Sequence, residues 1–194
     1  TAALPIDLRV INQQTIGATL GAQAIEVGLR SIALGFGLVL VFMLLYYKGA
    51  GIIADTALIL NLFFIVSVLS AFSLTLTLTS IAGLILTVGM AVDANVIIFE
   101  RIKEEQRLGK SARAAVQTGF QKAFWTIMDA NITTFIAALF LSQLGTGPVQ
   151  GFAVTLAVGI ITSIFTALVV TRLVFDFNVE TLKRSKLSIG WRHA

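Results

Sequence analysis

This sequence has no cysteine, only two prolines and one histidine among 194 residues, and little charge: Lys, Arg, Asp and Glu together make up 12%. Without cysteine there is no disulfide scaffold and no thiol chemistry. Two prolines are few for a loop-rich fold. Soluble globular domains carry about 25% charged residues, and half that density cannot coat a water-soluble protein of this size. Disordered chains are polar and charge-rich, whereas this chain is 57% hydrophobic with a mean hydropathy of +0.92. What is plentiful is 14 phenylalanines and 16 glycines, a composition suited to helices packed in lipid. The class left is an all-α polytopic membrane protein.

The charges are unevenly spread. They leave uncharged runs at Ser31–Tyr47, Thr56–Val92 and Ala130–Thr171. A membrane helix needs about 20 apolar residues. The second run is too long for one span and too short for two. Ser70-Ala71-Phe72-Ser73 reads as a turn within it, and the next span continues past Asp93. Gly145-Thr146-Gly147-Pro148 is the strongest breaker in the chain and divides the third run. These divisions predict a five-helix transmembrane bundle over 29–175, with spans at 29–47, 52–71, 76–99, 123–144 and 152–175. Residues 101–122 read as a charged amphipathic segment between spans, with a surface helix over Lys103–Gln121, and 176–194 as a tail. Asp55 falls at the start of the second span, where a helix N-terminus tolerates an acid.

Of the 14 Lys and Arg, 12 fall on one side: Lys48, the six basic residues between Arg101 and Lys122, and Arg172, Lys183, Arg184, Lys186 and Arg192. Only Arg9 and Arg30 fall opposite. The positive-inside rule puts the 12 in the cytoplasm, the N-terminus outside and the C-terminus inside. The isoelectric point near 9.8 is thereby explained by lipid headgroups, and no nucleic-acid partner is expected. Residues 1–28 lack the basic start and apolar core of a signal peptide. Leu4–Val10 alternates like a strand, and Thr15–Gly21 reads as a glycine turn. An extracytoplasmic start in strand-like sequence leads us to expect further chain before Thr1.

Ionisable residues inside spans are functional candidates, because burying a charge there costs about 2.5–3.5 kcal/mol on insertion scales. The tripeptide Asp-Ala-Asn occurs twice, at Asp93-Ala94-Asn95 and Asp129-Ala130-Asn131, in consecutive antiparallel spans. Asp93 lies about 12 Å before Arg101 and Asp129 about 10 Å after Lys122, at 1.5 Å per residue. Both pairs are therefore expected at similar depth. Asp93 is the deepest acid, with no basic residue in another span except Arg172 near an end. Neutralising it removes the charge penalty and changes which helix packing is preferred, so a proton crossing the membrane potential, worth about 2.3 kcal/mol per 100 mV, could drive movement. Asp129 could instead pair with Lys122. Asn95 and Asn131 could be proton-pathway groups or helix–helix glue. Gly89 shares a face with Asp93 and, like the glycines of the last span, is expected to serve helix packing. Gly151, Thr155, Gly159, Thr162 and Thr166 form a small-residue stripe that suits close packing in lipid. Glu104 and Glu105, near Arg107 and Lys110, read as a solvated face. No nucleotide loop, metal-ligand spacing or catalytic constellation is present, so neither an enzyme nor a cofactor is expected.

The run Gly89-Met90-Ala91-Val92-Asp93-Ala94-Asn95-Val96-Ile97-Ile98-Phe99-Glu100-Arg101-Ile102-Lys103-Glu104-Glu105 resembles the signature helix of the SecD/SecF family of bacterial protein-export membrane proteins. Thr15–Gly21, Gly109-Lys110-Ser111, Gly119-Phe120, Asp129–Thr134 and Gly145–Thr155 continue the likeness over nearly the whole chain. The resemblance implies membership of the resistance-nodulation-division superfamily, with helices two to six of a six-helix half and residues 1–28 closing a periplasmic segment. It implies an inner-membrane location and SecF as the matching half about a pseudo-two-fold axis. The SecYEG channel, the SecA motor and a translocating preprotein are the further partners it implies, with the proton-motive force as driver. Asp93 is, by this resemblance, the acid of the proton pathway, and some partner charges belong to SecF. Two other readings stay open: a proton-driven exporter of small hydrophobic substrates, and a structural membrane bundle.

Overall fold

The computed structural model describes residues 18–73, 77–180 and 189–190. The strand-like segment Leu4–Val10, the first residues of the glycine turn and the basic residues of the tail lie outside the described residues. The helices are α1 (Ala18–Tyr47), α2 (Gly49–Ala71), α3 (Leu78–Arg107), α4 (Ala112–Leu144) and α5 (Pro148–Phe165). A π-helical turn, Thr166–Val170, joins α5 to α6 (Thr171–Glu180). The last span therefore comprises α5, the π-turn and most of α6. Five helical stretches are long and apolar enough to cross a membrane, and no strand occurs among the described residues. The chain is a multi-pass, all-α membrane bundle.

Local chemistry explains where the helices start. Thr77 caps α3 by accepting the Ser80 N–H at 3.2 Å, and Ser111 caps α4 by accepting the Ala114 N–H at 3.4 Å. Pro148 occupies the first turn of α5, where a missing N–H costs nothing. Gly147 before it has φ of 53°, a left-handed conformation that glycine adopts freely.

Three expectations are corrected. The turn expected through Gly21 is already helix from Ala18. Residues 101–122 are not a separate amphipathic helix: α3 runs on to Arg107, α4 starts at Ala112, and a tight turn at Leu108–Lys110 joins them. The last span starts at Pro148 rather than Phe152, because proline can begin a helix as well as break one.

α3 is the central post, packed against α1, α2, α4 and α5. Half of its most apolar window is buried inside the chain, against 6% for α1 and 11% for α4. The α3–α5 seam is built from small residues. A Cβ on Gly159 would overlap Thr87, a fully buried side chain, and one on Gly83 would sit 3.3 Å from the Thr155 Cβ. Thr87 and Thr155 return their hydroxyls to carbonyls of their own helices, at 2.8 and 2.9 Å, which leaves their methyl groups to pack. Gly151 lies against the Ser80 and Thr77 hydroxyls. A Cβ on Gly89, expected to pack likewise, would meet nothing within 4 Å among the described residues.

Candidate functional site

Asp93 sits on the side of α3 that looks toward α4. With Met90, Ala94 and Ile97 it forms one wall of a groove of about 210 Å³, and Ile127, Ala130, Asn131 and Thr134 of α4 form the other. The groove exists because α3 and α4 are antiparallel neighbours joined by a short turn, which brings the two Asp-Ala-Asn segments level. Asp93 is exposed in the isolated chain. Among the described residues no cation pairs with it. Asn131 is half-buried and donates to the Ile127 carbonyl at 2.8 Å, and Thr134 donates to the Ala130 carbonyl at 3.1 Å. The groove thus offers one carboxylate, one amide and one hydroxyl in an otherwise apolar cleft.

The four sequence candidates do not form one cluster. Asp93 and Asn131 share the groove. Asn95 is buried on another side of α3, where its Oδ1 accepts from Thr171 Oγ1 at 3.0 Å and its Nδ2 donates to the Ala91 carbonyl at 3.2 Å. Asp129 is exposed and does not line the groove. Its suggested pairing with Lys122 is not made, because Lys122 Nζ lies 2.6 Å from Glu105.

Glu105 overturns its reading as part of a solvated face. Its side chain is 1% exposed and is held at 2.6 Å by both Lys110 and Lys122. It lies in the charged extension of α3 beyond the apolar stretch. The Lys110 ammonium and then that of Lys122 hold its carboxyl below the usual carboxylate range. A second cluster at the same end joins Tyr47, whose hydroxyl donates to Glu100 at 3.0 Å, to Lys103, which pairs with Glu100 at 2.8 Å. The Lys103 ammonium also stands over the Tyr46 and Tyr47 rings.

Sequence reasoning also missed the polar residues of α2. Asp55 is not at a helix tip: it is the seventh residue of α2 and buried, and neither carboxyl oxygen has a hydrogen-bond partner. Asn61 is 1% exposed and its Oδ1 is likewise unpartnered. The signal was available. Gly51, Ala54, Leu58, Asn61, Ile65 and Leu69 make one buried stripe at helical spacing, and Asp55 borders it.

Comparison with known proteins agrees with this architecture. Residues 2–179 match the family described as protein export membrane protein SecD/SecF, C-terminal. The chain is 57% identical to the protein translocase subunit SecD of Treponema pallidum, over all of this chain and 33% of that protein. It is 55% identical to that of Rhodothermus marinus, over 98% of this chain and 30% of that protein. The crystal structure of SecDF from Thermus thermophilus, a translocon-associated membrane protein, superposes with a TM-score of 0.86 at 42% identity. That match covers 92% of this chain and 24% of that one. A super-membrane-facing form of SecDF gives a TM-score of 0.82, also at 42% identity, over 91% of this chain and 24% of that one. The chain therefore spans about a third of the length of these curated relatives and about a quarter of the solved chains.

Proposed function

The chain belongs to the SecD/SecF protein-export membrane family, within its C-terminal part, and from this we propose that it is the membrane bundle of a SecD-type subunit that draws on the proton-motive force to promote preprotein translocation. SecF supplies the matching half-bundle, and the SecYEG channel and SecA motor are the machinery it serves. The bundle lies in the bacterial inner membrane with its basic end in the cytoplasm. It follows the resistance-nodulation-division plan.

The observation that carries this reading is the α3–α4 groove. It holds an acid at mid-helix depth, on a face that is exposed and, among the described residues, paired with no cation. Such an acid is expensive in lipid, so its face belongs against a polar partner surface or water. Asp93 is the proton carrier. Asn131 flanks it in the groove, while Asn95 acts from the opposite side of α3. Asp129, outside the groove, serves the partner-facing surface. Gly151, Thr155 and Gly159 keep α5 close to α3 so that the groove holds its shape.

The test is Asp93→Asn in the intact protein with its partners, reconstituted in vesicles with and without a proton gradient. The gradient-dependent part of preprotein translocation is expected to vanish, while translocation without a gradient is unchanged. Full gradient dependence in this variant would refute a titrating Asp93.

A further inference from the structure

The last span is interrupted where it meets α3. Five residues, Thr166–Val170, form a π-turn between two α-helical stretches. A π-turn accommodates one residue too many for an α-helix, and such turns occur often at functional sites. Thr171 closes this one. Its N–H donates to the Thr166 carbonyl. Its hydroxyl has a single proton and two acceptors in reach: Asn95 Oδ1 at 3.0 Å and the same Thr166 carbonyl at 3.1 Å. Since that carbonyl already receives the backbone N–H, the hydroxyl satisfies more by donating to Asn95. Both side chains are buried, Thr171 fully and Asn95 to 2% exposure. Asn95 stands two residues after Asp93 on the same helix. Beyond the turn, the buried Phe175 ring lies edge-on to Phe99 and Phe120, with centroids 5.6 and 6.2 Å away.

We propose that the π-turn is a register switch, in which the Thr171–Asn95 bond holds the last span in the π register and its loss lets Thr166–Val170 relax to α-helix. Relaxation passes the extra residue onward, so α6 turns by about 100° and advances by about 1.5 Å. Phe175 then leaves the space between Phe99 and Phe120, and the basic end of the bundle repacks. Thr171 and Asn95 are positioning residues, and protonation of Asp93 on the same helix is the trigger. The trigger rests on the reading given above; the switch itself does not.

The test is distance measurement between spin labels at Leu108→Cys and Phe177→Cys, both exposed positions, in the intact protein in lipid vesicles. These 194 residues contain no cysteine, and any cysteine outside them is replaced by serine before labelling. Thr171→Val removes the hydroxyl but keeps the shape, and is expected to add a distance population shifted by several ångströms, as a turn of about 100° requires. Thr171→Ser is expected to match the parent. Deleting Val169, a half-exposed residue of the turn, removes the extra residue. That variant is expected to keep the parent distances, to show no shift with Asp93→Asn, and to lose gradient-dependent translocation. A parent-like distribution in Thr171→Val overturns the switch. If that variant does not fold, full gradient-dependent translocation by the Val169 deletion overturns it instead. Loss of translocation in Asp93→Asn with the same distances in every variant leaves the proton role standing and removes the switch.

Discussion

Asp55 and Asp93 are both acids inside apolar helices, yet they face opposite conditions. Asp93 opens into a groove and is exposed. Asp55 is enclosed, with neither oxygen hydrogen-bonded. A buried polar group left unsatisfied costs about 1–3 kcal/mol. Asp55→Leu, which keeps the same branched skeleton without polar atoms, is therefore expected to stabilise the bundle by about that amount, read as a raised melting temperature in detergent. An unchanged or lower temperature would mean that the carboxyl is solvated or paired. Asp93 was legible in the sequence because an acid standing alone in an apolar run is conspicuous without knowledge of its neighbours. Glu105 was not, because its burial depends on α4 folding back to bring Lys122 against it. Its lowered pKa gives a signed expectation: the contribution is present above the ordinary glutamate range, about 4.3, and is lost as pH falls through the lower folded-state value. Glu105→Gln is expected to lower the neutral-pH melting temperature and to flatten its acid dependence. The same slope in both proteins would count against the double ion pair.

Between helices, small residues decide the distances. A Cβ on Gly159 would overlap Thr87, and overpacking of this kind typically costs about 1–3 kcal/mol. Gly159→Ala is expected to destabilise by that much, while Gly89→Ala, with open space around it, leaves the chain's own stability unchanged. Equal melting temperatures for the two variants would contradict the seam. The stripe from Gly151 to Thr166 was visible as a helical repeat, but repeat spacing cannot say which helix it meets. Nor could it separate Gly89 from the others, since an open face and a packed one look alike in sequence. The π-turn left no mark in the sequence either, because it depends on the hydrogen bond from Thr171 to Asn95 across two helices. The turn at Leu108–Lys110 was hidden for a different reason: Gly109 stands inside a charged amphipathic stretch that reads as continuous helix, and its φ of 84° breaks it.

α1 and α4 bury far less of their apolar windows inside the bundle than α3 does, and in the function proposed above lipid and SecF cover the remainder. Hydropathy was enough to find the five helices among the described residues that are long and apolar enough to span a membrane, since it follows from the bilayer and not from tertiary contacts. The proposed orientation predicts that a thiol-reactive, membrane-impermeant label reaches Leu108→Cys from the cytoplasm and Phe72→Cys from the opposite side, both being exposed turn residues. The reverse pattern would invert the topology. One contact spans the whole sequence order. Gly190 donates its N–H to the Tyr47 carbonyl at 3.2 Å, with a φ of +66°, and a Cβ there would sit 3.0 Å from the Tyr46 carbonyl oxygen. The neighbouring Ile189 is buried beside it. These residues leave the ribosome after α1 to α6, so the end of α1 is sealed only once those helices have been made. The seal ties order at the end of α1 to chain made last, and amide protection at Gly190 is expected to report bundles in which that late segment has docked.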